Sequence, residues 1–248
     1  MGILNVTPDS FADGGKHNDF DSAVARGLQM IAEGVDIIDI GGESTRPGAD
    51  RVSETEEIAR TIPVIAELAK HGVKISIDTM RASTAKAAID AGASIINDVS
   101  GGLADPLMLQ TAAALKVPYI AMHWRGQSKD MNSKAIYGDV VNDVISELQE
   151  RIDAALDAGI TKDNLIIDPG LGFAKDADHN WAIIDAIDQF VAMGYPVLVG
   201  ASRKRFLGGD SPDEREQATI DLTKRLAPTG VWAVRVHSVK PHKEVLSV

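Results

Sequence analysis

The sequence predicts an α/β fold: a single-domain (β/α)8 TIM barrel that spans residues 1–248. Three observations predict it. Eight short apolar runs alternate with amphipathic stretches, no linker-like segment breaks the alternation, and 248 residues suit one barrel of this kind. An open, doubly wound sheet is the alternative. We prefer the barrel because eight strands are predicted and the chain has no glycine-rich dinucleotide loop.

The eight runs are rich in β-branched residues and continuously apolar, as strands buried on both faces should be. They cover residues 2–6, 35–40, 74–77, 94–96, 119–122, 165–167, 196–199 and 232–236. Between them, the clearest helical patterns are 53–71, which opens on a capping-box sequence, and 139–158. Each of these two stretches stops before a glycine, which is a common helix terminator.

Composition excludes several classes of function. The chain has no cysteine, so disulfides, a thiolate nucleophile and a cysteine metal site are ruled out. A net charge of −11 without a basic face argues against a nucleic-acid partner. No apolar run is long enough to span a membrane, and the first residues lack a signal-peptide pattern. We therefore expect a cytoplasmic protein with no membrane partner.

Polar residues stand at the ends of all eight predicted strands. In a barrel these ends converge on one rim, where active sites are built. Independent helix caps would favour Ser and Thr, and they would not account for Lys204, Arg235 or His237. The strand-end residues are Asn5, Asp39, Asp78, Asn97, Asp98, His123, Asp168, Ser202, Arg203, Lys204, Arg235, Val236 and His237.

Two loops at this rim contain glycine pairs, at 5–15 and 39–48. For the first loop, a functional role and ordinary turn chemistry explain the composition equally well. In the second, glycines let the backbone approach a ligand, while Thr45 and Arg46 offer a hydroxyl and a bidentate guanidinium for a phosphate. The alternative for the second loop is a surface segment with a solvated arginine, and the glycine pair at a strand end argues against it.

These two loops resemble the paired sequence signatures of dihydropteroate synthases. The similarity continues in register at 76–79, 96–98, 122–123, 168–173, 200–204 and 235–237, so it covers essentially the whole chain. The resemblance implies a transferase of folate biosynthesis. Its reaction joins 6-hydroxymethyl-7,8-dihydropterin diphosphate to p-aminobenzoate and gives 7,8-dihydropteroate and diphosphate. The resemblance also implies that the partners are these small molecules and a second copy of the chain, in a homodimer.

The resemblance further implies roles for individual residues. Around the pterin ring it places Asp168, on the N–H edge, with Asp78, Asn97 and Lys204. A strand turns Asn97 and Asp98 to opposite sides, so only one can face the site, and the resemblance selects Asn97. The predicted catalytic residues are Asp13, Thr45, Arg46 and Lys204.

For the diphosphate, the resemblance implies contacts with Thr45, Arg235, Val236 and His237. Arg235 and His237 are two residues apart, so on a strand they would share a face and form an anion clamp. The alternative is a salt-bridged arginine and a hydrogen-bonded core histidine. The resemblance also implies a Mg²⁺ cofactor bound through Asn5, because Mg²⁺ keeps most of its waters and bridges phosphate oxygens.

Some residues depart from the family pattern or stay outside the predicted site. Arg205 stands where a serine often follows the lysine, and we expect p-aminobenzoate to meet a helix start there. Ser238 replaces a frequent aspartate, which is expected to loosen its neighbours. The remaining histidines, which show no ligand spacing, are expected at the surface; they are His17, His71, His179 and His242.

Two other functions are compatible with a pterin-binding barrel. A pterin-dependent methyltransferase would share the pterin pocket but would have no use for a diphosphate clamp. A non-catalytic pterin-binding paralogue should have lost loop residues, whereas both loops here are nearly intact. The sequence therefore favours the synthase.

Overall fold

The computed structural model describes residues 1–6, 16–43, 52–126 and 131–247, with only the backbone for 16–19 and 131–132. In this part of the chain, strands and helices alternate as the sequence predicts. The strands are β1 Gly2–Asn5, β2 Ile37–Gly41, β3 Lys74–Asp78, β4 Ile95–Asp98, β5 Tyr119–Met122, β6 Leu165–Asp168, β7 Leu198–Val199 and β8 Ala233–Val234. The α-helices are α1 Lys16–Ala32, α2 Glu54–Ala69, α3 Ala82–Asp90, α4 Met108–Leu115, α5 Val140–Asp157, α6 Ala177–Asp185, α7 Ile187–Val191, α8 Arg215–Leu226 and α9 Lys240–Leu246.

The eight strands form a closed parallel barrel. Strands β1 to β6 pair in sequence order, and β7 pairs with β8. Two parallel bridges close the ring, one between Ile167 and Val197 and one between Gly2 and Val236. Backbone hydrogen bonds reinforce the second junction: Ile3 N–H donates to Val236 O at 2.8 Å, and Val236 N–H donates to Met1 O at 2.9 Å. The predicted (β/α)8 barrel is thus confirmed, and the open-sheet alternative is wrong.

Strand ends differ from the predicted runs by a few residues. Strands β3, β4 and β6 run on into the polar residues that were expected just beyond them, and β2 extends one residue past its predicted end, to Gly41. Strands β7 and β8 are each only two residues long. Their pairing continues past the regular strand, because Arg235 N–H donates to Val199 O at 2.9 Å. Apolar runs therefore locate strands well, but hydrogen bonding decides where they end.

The two clearest predicted helices are present. Ser53 caps α2 by accepting from Glu56 N–H at 3.2 Å, but the reciprocal half of the capping box is replaced by an ion pair between Glu56 and Arg60. Asp139 caps α5 by accepting from two backbone N–H groups, at 3.1 and 3.2 Å. Gly72 and Gly159, which follow these helices, both have positive φ, a conformation that suits glycine at a helix end.

Alternation along the strands divides the core into two layers. Outward-facing residues such as Ile38, Ile75 and Ile96 pack against the helices. Inward-facing residues form an apolar plug at the amino-terminal end of the barrel; they are Met1, Ile37, Ile95, Ile120, Ile166 and Leu198. No helix among the described residues combines the length and apolarity that a bilayer crossing needs.

Candidate active site at the carboxyl-terminal mouth

A layer of charged and polar groups lies directly above the apolar plug. Two residues after each plug residue, the same strand turns the next inward side chain toward the mouth, so Ile37 is followed by Asp39, Ile95 by Asn97 and Ile166 by Asp168. On these three strands the inner face thus changes from apolar to polar along the barrel axis. This brings the inward-facing strand-end residues Asp39, Asn97 and Asp168 to the mouth.

Arg235 joins two carboxylates across this layer. Its Nε donates to Asp39 Oδ2 at 2.6 Å, and its Nη2 donates to Asp78 Oδ2, also at 2.6 Å. Asn97 completes the group, because its Nδ2 donates to the same Asp39 oxygen at 3.1 Å. Arg235 is therefore salt-bridged, which was the alternative to the predicted anion clamp; its contact with diphosphate stays a prediction. The partner Asp39 had no predicted role, although its place at a strand end was a usable signal.

Burial sets the charge state of this group. Burial raises the pKa of Asp78 to about 7, while the Arg235 guanidinium opposes the rise. Burial also works against the charge of Arg235, but the carboxylates of Asp39 and Asp78 raise its pKa above the usual value. One cation between two carboxyl groups can leave Asp78 free to hold or release a proton near neutral pH.

Asp168 and Lys204 form the opposite wall. Asp168 Oδ1 accepts from Gly170 N–H at 2.7 Å, and burial raises the pKa of this carboxyl above its usual value. Lys204 Nζ donates to Leu171 O and lies 4.7 Å from the centre of the Phe173 ring. Burial lowers the pKa of Lys204 to about 8, and Asp168 offsets part of that effect. The wall offers a carboxyl acceptor, an amine donor and an aromatic face.

Asn97 and Asp98 point in opposite directions, as the strand alternation predicted. Asp98 turns outward to the helices, where it accepts from the hydroxyls of Ser100 and Tyr119 at 2.6 and 2.8 Å and from Gly102 N–H at 2.7 Å. Asn97 turns inward and contacts Asp39. The geometry of the barrel therefore selects Asn97 for the cavity independently of any resemblance.

Residues 236–238, which follow β8, are each held by contacts within the protein. His237 Nδ1 is hydrogen-bonded to Ser202 Oγ at 2.9 Å, and its backbone N–H donates to the same hydroxyl at 3.2 Å. Val236 is buried and uses both backbone groups to close the barrel. Its predicted contact with substrate stays a prediction. The Ser238 hydroxyl donates to Glu216, and the expected loosening of its neighbours stays a prediction.

Lys204 is followed by a single 3-10 turn rather than by a long helix. Residues Arg205–Leu207 form this turn, Arg205 is exposed, and the next α-helix begins only at Arg215. The helix start after Lys204 is thus that of a 3-10 turn, and its contact with the p-aminobenzoate carboxylate stays a prediction. Arg205 adds a cationic side chain to this turn.

Asn5 ends β1 beside Gly41 and is partly exposed. No cluster of three His, Cys, Asp or Glu side chains that could hold a metal occurs in the described ranges. Asp39 and Asp78 are already paired with Arg235. A neutral oxygen donor at Asn5 would fit a Mg²⁺ ion that brings phosphate and water as its other ligands; the ion and this ligand stay predictions.

Three predicted catalytic residues, Asp13, Thr45 and Arg46, lie outside the described residues. Arg81 contacts the described residues that flank the second loop. Its Nη1 donates to Glu43 at 2.7 Å, and its Nη2 donates to the backbone oxygen of Val52 at 2.6 Å. Arg81 also pairs with the buried Glu57. Sequence reasoning missed this network.

Two histidines have unexpected surroundings. His242 was expected at the surface but is 2% exposed, and its Nδ1 is hydrogen-bonded to Thr223 Oγ1 at 2.8 Å. The expectation was wrong because α9 packs this side chain against α8. His123, a strand-end residue without a predicted role, is buried and lies between Glu147 and Lys175.

Comparisons with known proteins point the same way as the geometry. Residues 1–237 match the family described as pterin binding enzyme. The chain is 49% identical to dihydropteroate synthase of Mycobacterium leprae over 258 aligned positions, which cover all of this chain and 91% of the relative. It is also similar to the structure of Xanthomonas albilineans dihydropteroate synthase with 4-aminobenzoic acid, with a TM-score of 0.94, 43% identity and coverage of 100% of this chain and 90% of the other. The same enzyme in complex with 7,8-dihydropteroate matches with a TM-score of 0.90 and 40% identity over the same shares.

Proposed function

The chain belongs to the pterin-binding enzyme family, and we propose that its barrel mouth carries out the dihydropteroate synthase reaction. It is thus a transferase of the folate pathway, which joins a pterin diphosphate to p-aminobenzoate. The observation that carries the proposal is a set of two buried carboxyl groups and two partly buried cations at or just beyond the strand ends. They are Asp78, Asp168, Lys204 and Arg235.

The pterin is proposed to bind between the two walls of this layer. A pterin ring carries an edge of N–H donors and a carbonyl oxygen. Asp168 is proposed to accept from the donor edge, while Lys204 donates to an acceptor of the ring. Asp78 and Asn97 border the ring on the other side. Because Asp168 is buried and Lys204 is partly buried, each hydrogen bond forms in a medium of low polarity, where it discriminates strongly between ligands.

The chemical step is a displacement at the methylene carbon of the pterin. The aniline nitrogen of p-aminobenzoate attacks this carbon, the bond from carbon to the diphosphate oxygen breaks, and the electron pair leaves with diphosphate. The extra proton on nitrogen is then lost to solvent or to the departing diphosphate. No general base is required, because the aniline nitrogen is already nucleophilic, so positioning and electrostatic stabilisation supply the rate.

The diphosphate is proposed to leave toward Arg235 and His237. Nε and Nη2 of Arg235 are used by the two carboxylates, whereas Nη1 donates no hydrogen bond to the described part of the chain. When bound, Mg²⁺ would neutralise charge on the leaving group, with Asn5 as its protein ligand. The sequence adds Thr45 and Arg46 as phosphate contacts, and Asp13 as a carboxylate that stabilises positive charge on the methylene.

Assembly and location extend the proposal. Family membership supports a homodimer. The lack of cysteine supports a reducing compartment such as the cytoplasm. Size-exclusion chromatography with light scattering measures the assembly directly, and a mass of one chain at micromolar concentration would reject the dimer.

A turnover assay tests the reaction itself. Purified chain is incubated with the pterin diphosphate, p-aminobenzoate and Mg²⁺, and released diphosphate and 7,8-dihydropteroate are quantified together. The synthase releases both in equal amounts, and only when p-aminobenzoate is present. A binding paralogue releases neither, and a methyltransferase binds pterin without releasing diphosphate. Either of these results rejects the proposed function.

A further inference from the structure

A buried chain of polar side chains lies behind the Lys204 wall and has no part in the reaction described above. Lys175, which is 8% exposed, places Nζ within 2.8 Å of His123 Nδ1. The same Nζ donates to Gly170 O and to Phe173 O, both at 3.1 Å. An ammonium has three N–H donors and finds three acceptors here, so its hydrogen bonding is complete.

The Glu147 carboxylate fixes the state of the histidine. The hydrogen bond from His123 lowers the pKa of Glu147 to about 2, so this ionised carboxylate can only accept, the ring proton sits on Nε2, and Nδ1 accepts from Lys175, whose own pKa burial lowers to about 7. Nε2 then donates to Glu147 Oε2 at 2.9 Å. Burial, and next the charge of Lys175, lower the pKa of His123 to about 4, which keeps the ring neutral. Arg125 in turn pairs with Glu147 and lies 3.8 Å over the Tyr137 ring.

These side chains converge on segment 170–174, between β6 and α6. Lys175 binds two of its carbonyls, and Tyr137 OH donates to a third, Ala174 O, at 2.9 Å. Ala174 has a φ of 48°, which is unusual for a residue with a side chain. Outside contacts must therefore hold this backbone in place.

The other side of the same segment contacts the Lys204 amine. Leu171 O accepts from Lys204 Nζ, and the Phe173 ring lies beside it. The segment therefore has Lys175 on one side and Lys204 on the other. Any movement of its carbonyls would displace the amine that is proposed to contact the pterin.

We propose that Lys175 is a positioning residue that acts on Lys204 through segment 170–174. His123 orients Lys175 through Nδ1, and its Nε2 is hydrogen-bonded to Glu147 on α5. This inference rests on the proposed function, because Lys204 is a proposed pterin contact. Neither Lys175 nor His123 touches the substrate in this arrangement.

A double-mutant cycle tests the coupling. Lys175→Met, Lys204→Ala and the double variant are compared for the dissociation constant of pterin diphosphate, with thermal melting as a check on folding. Lys175→Met should weaken binding roughly tenfold, on the scale of losing a supporting contact. The double variant should bind no more weakly than Lys204→Ala alone. If the losses of pterin affinity in the two single variants multiply in the double variant, the two residues act independently and the proposal is overturned.

Matched controls separate positioning from general damage. Lys162→Met removes an exposed lysine that also lies over an aromatic ring, that of Tyr195 at 5.2 Å, and should leave pterin binding unchanged. His123→Asn keeps an acceptor near the Nδ1 position, whereas His123→Leu removes it. The asparagine variant should bind pterin more tightly than the leucine variant. Equal binding by the two would overturn the role of His123, even if Lys175→Met fails to fold.

A readout without ligand separates this inference from the proposed function. The ¹³Cε shift of Lys204 in lysine-labelled protein follows its titration, and the pKa of about 8 should rise toward that of a solvated lysine in His123→Leu. That variant leaves the Lys175 side chain in place, and the same labelled spectrum follows the titration of Lys175, whose pKa burial lowers to about 7, so a change in its charge is separated from a change in position. An unaltered titration would overturn the inference. Absence of turnover in the wild-type chain would instead reject the proposed function alone.

Discussion

Asp78 on β3 and Arg235 after β8 meet across the mouth of the barrel, with Oδ2 and Nη2 2.6 Å apart. Asp78 is buried, the Arg235 side chain is only 18% exposed, and Asp39 holds Arg235 from the other side at the same distance. The cation that the sequence placed in an anion clamp is therefore also the counter-ion of two carboxyl groups. This double role determines how the variants below should behave.

The Arg235→Ala variant should be less stable than the wild type and should bind diphosphate more weakly. Arg235→Ala leaves two buried carboxylates without their counter-ion, which typically costs about 3–5 kcal/mol of unfolding free energy. Urea denaturation at neutral pH measures this loss. Arg225→Ala is the control, because Arg225 pairs with Asp185 at 2.6 Å on the surface, where an ion pair contributes at most about 1 kcal/mol. Equal losses in the two variants would contradict the buried role of Arg235.

Asp78 should make stability depend on pH in a particular direction. Burial raises its pKa from 3.8 to about 7, so the folded chain holds a proton that the unfolded chain has already lost. The stabilisation from this proton is complete below the unfolded pKa and is lost as pH rises through about 7. Asp78→Asn removes it. The fall in unfolding free energy between pH 5 and pH 8 should therefore be smaller in Asp78→Asn than in the wild type, and an unchanged fall would refute the assignment.

Asp168→Asn tests the pterin edge. The amide can still accept from Gly170 N–H, but it would turn a donor toward the N–H groups of the ring. We expect pterin binding to weaken by about 2–4 kcal/mol, measured by calorimetry. Asp98→Asn is the matched control, since Asp98 is also a buried strand-end carboxyl but faces the helices. It should lower stability and leave pterin affinity near that of the wild type.

Asn5→Ala tests the metal. The variant should need more Mg²⁺ for half-maximal binding of pterin diphosphate, because the ion loses its proposed protein ligand. Binding of the unphosphorylated hydroxymethyl pterin should not change. A Mg²⁺ requirement identical to that of the wild type would remove Asn5 from the metal site.

The sequence predicts the barrel and its polar mouth because both follow from simple periodicities. Alternation within a strand places Asp39, Asn97 and Asp168 inward, and the apolar runs locate the strands. The same rule turns Asp98 outward. These features depend only on the local sequence pattern, so they can be predicted from the sequence.

Contacts between distant segments could not be predicted in this way. Glu57 stands among the acidic residues of the first turn of α2 and would be expected in solvent, yet it is 1% exposed and pairs with Arg81. Its helical spacing to Thr61, Val64 and Leu68 was a usable signal. Lys175 and His123 are 52 residues apart, and no periodicity indicates that they meet.

The most direct test of the account is a crystal structure of the chain with 7,8-dihydropteroate. The account predicts the pterin ring at the carboxyl-terminal mouth, with its N–H edge within hydrogen-bonding distance of Asp168 and its ring near Lys204 and Asn97. Density for the pterin elsewhere, or at the mouth with Asp168 and Lys204 out of contact, would contradict the assignment of the site.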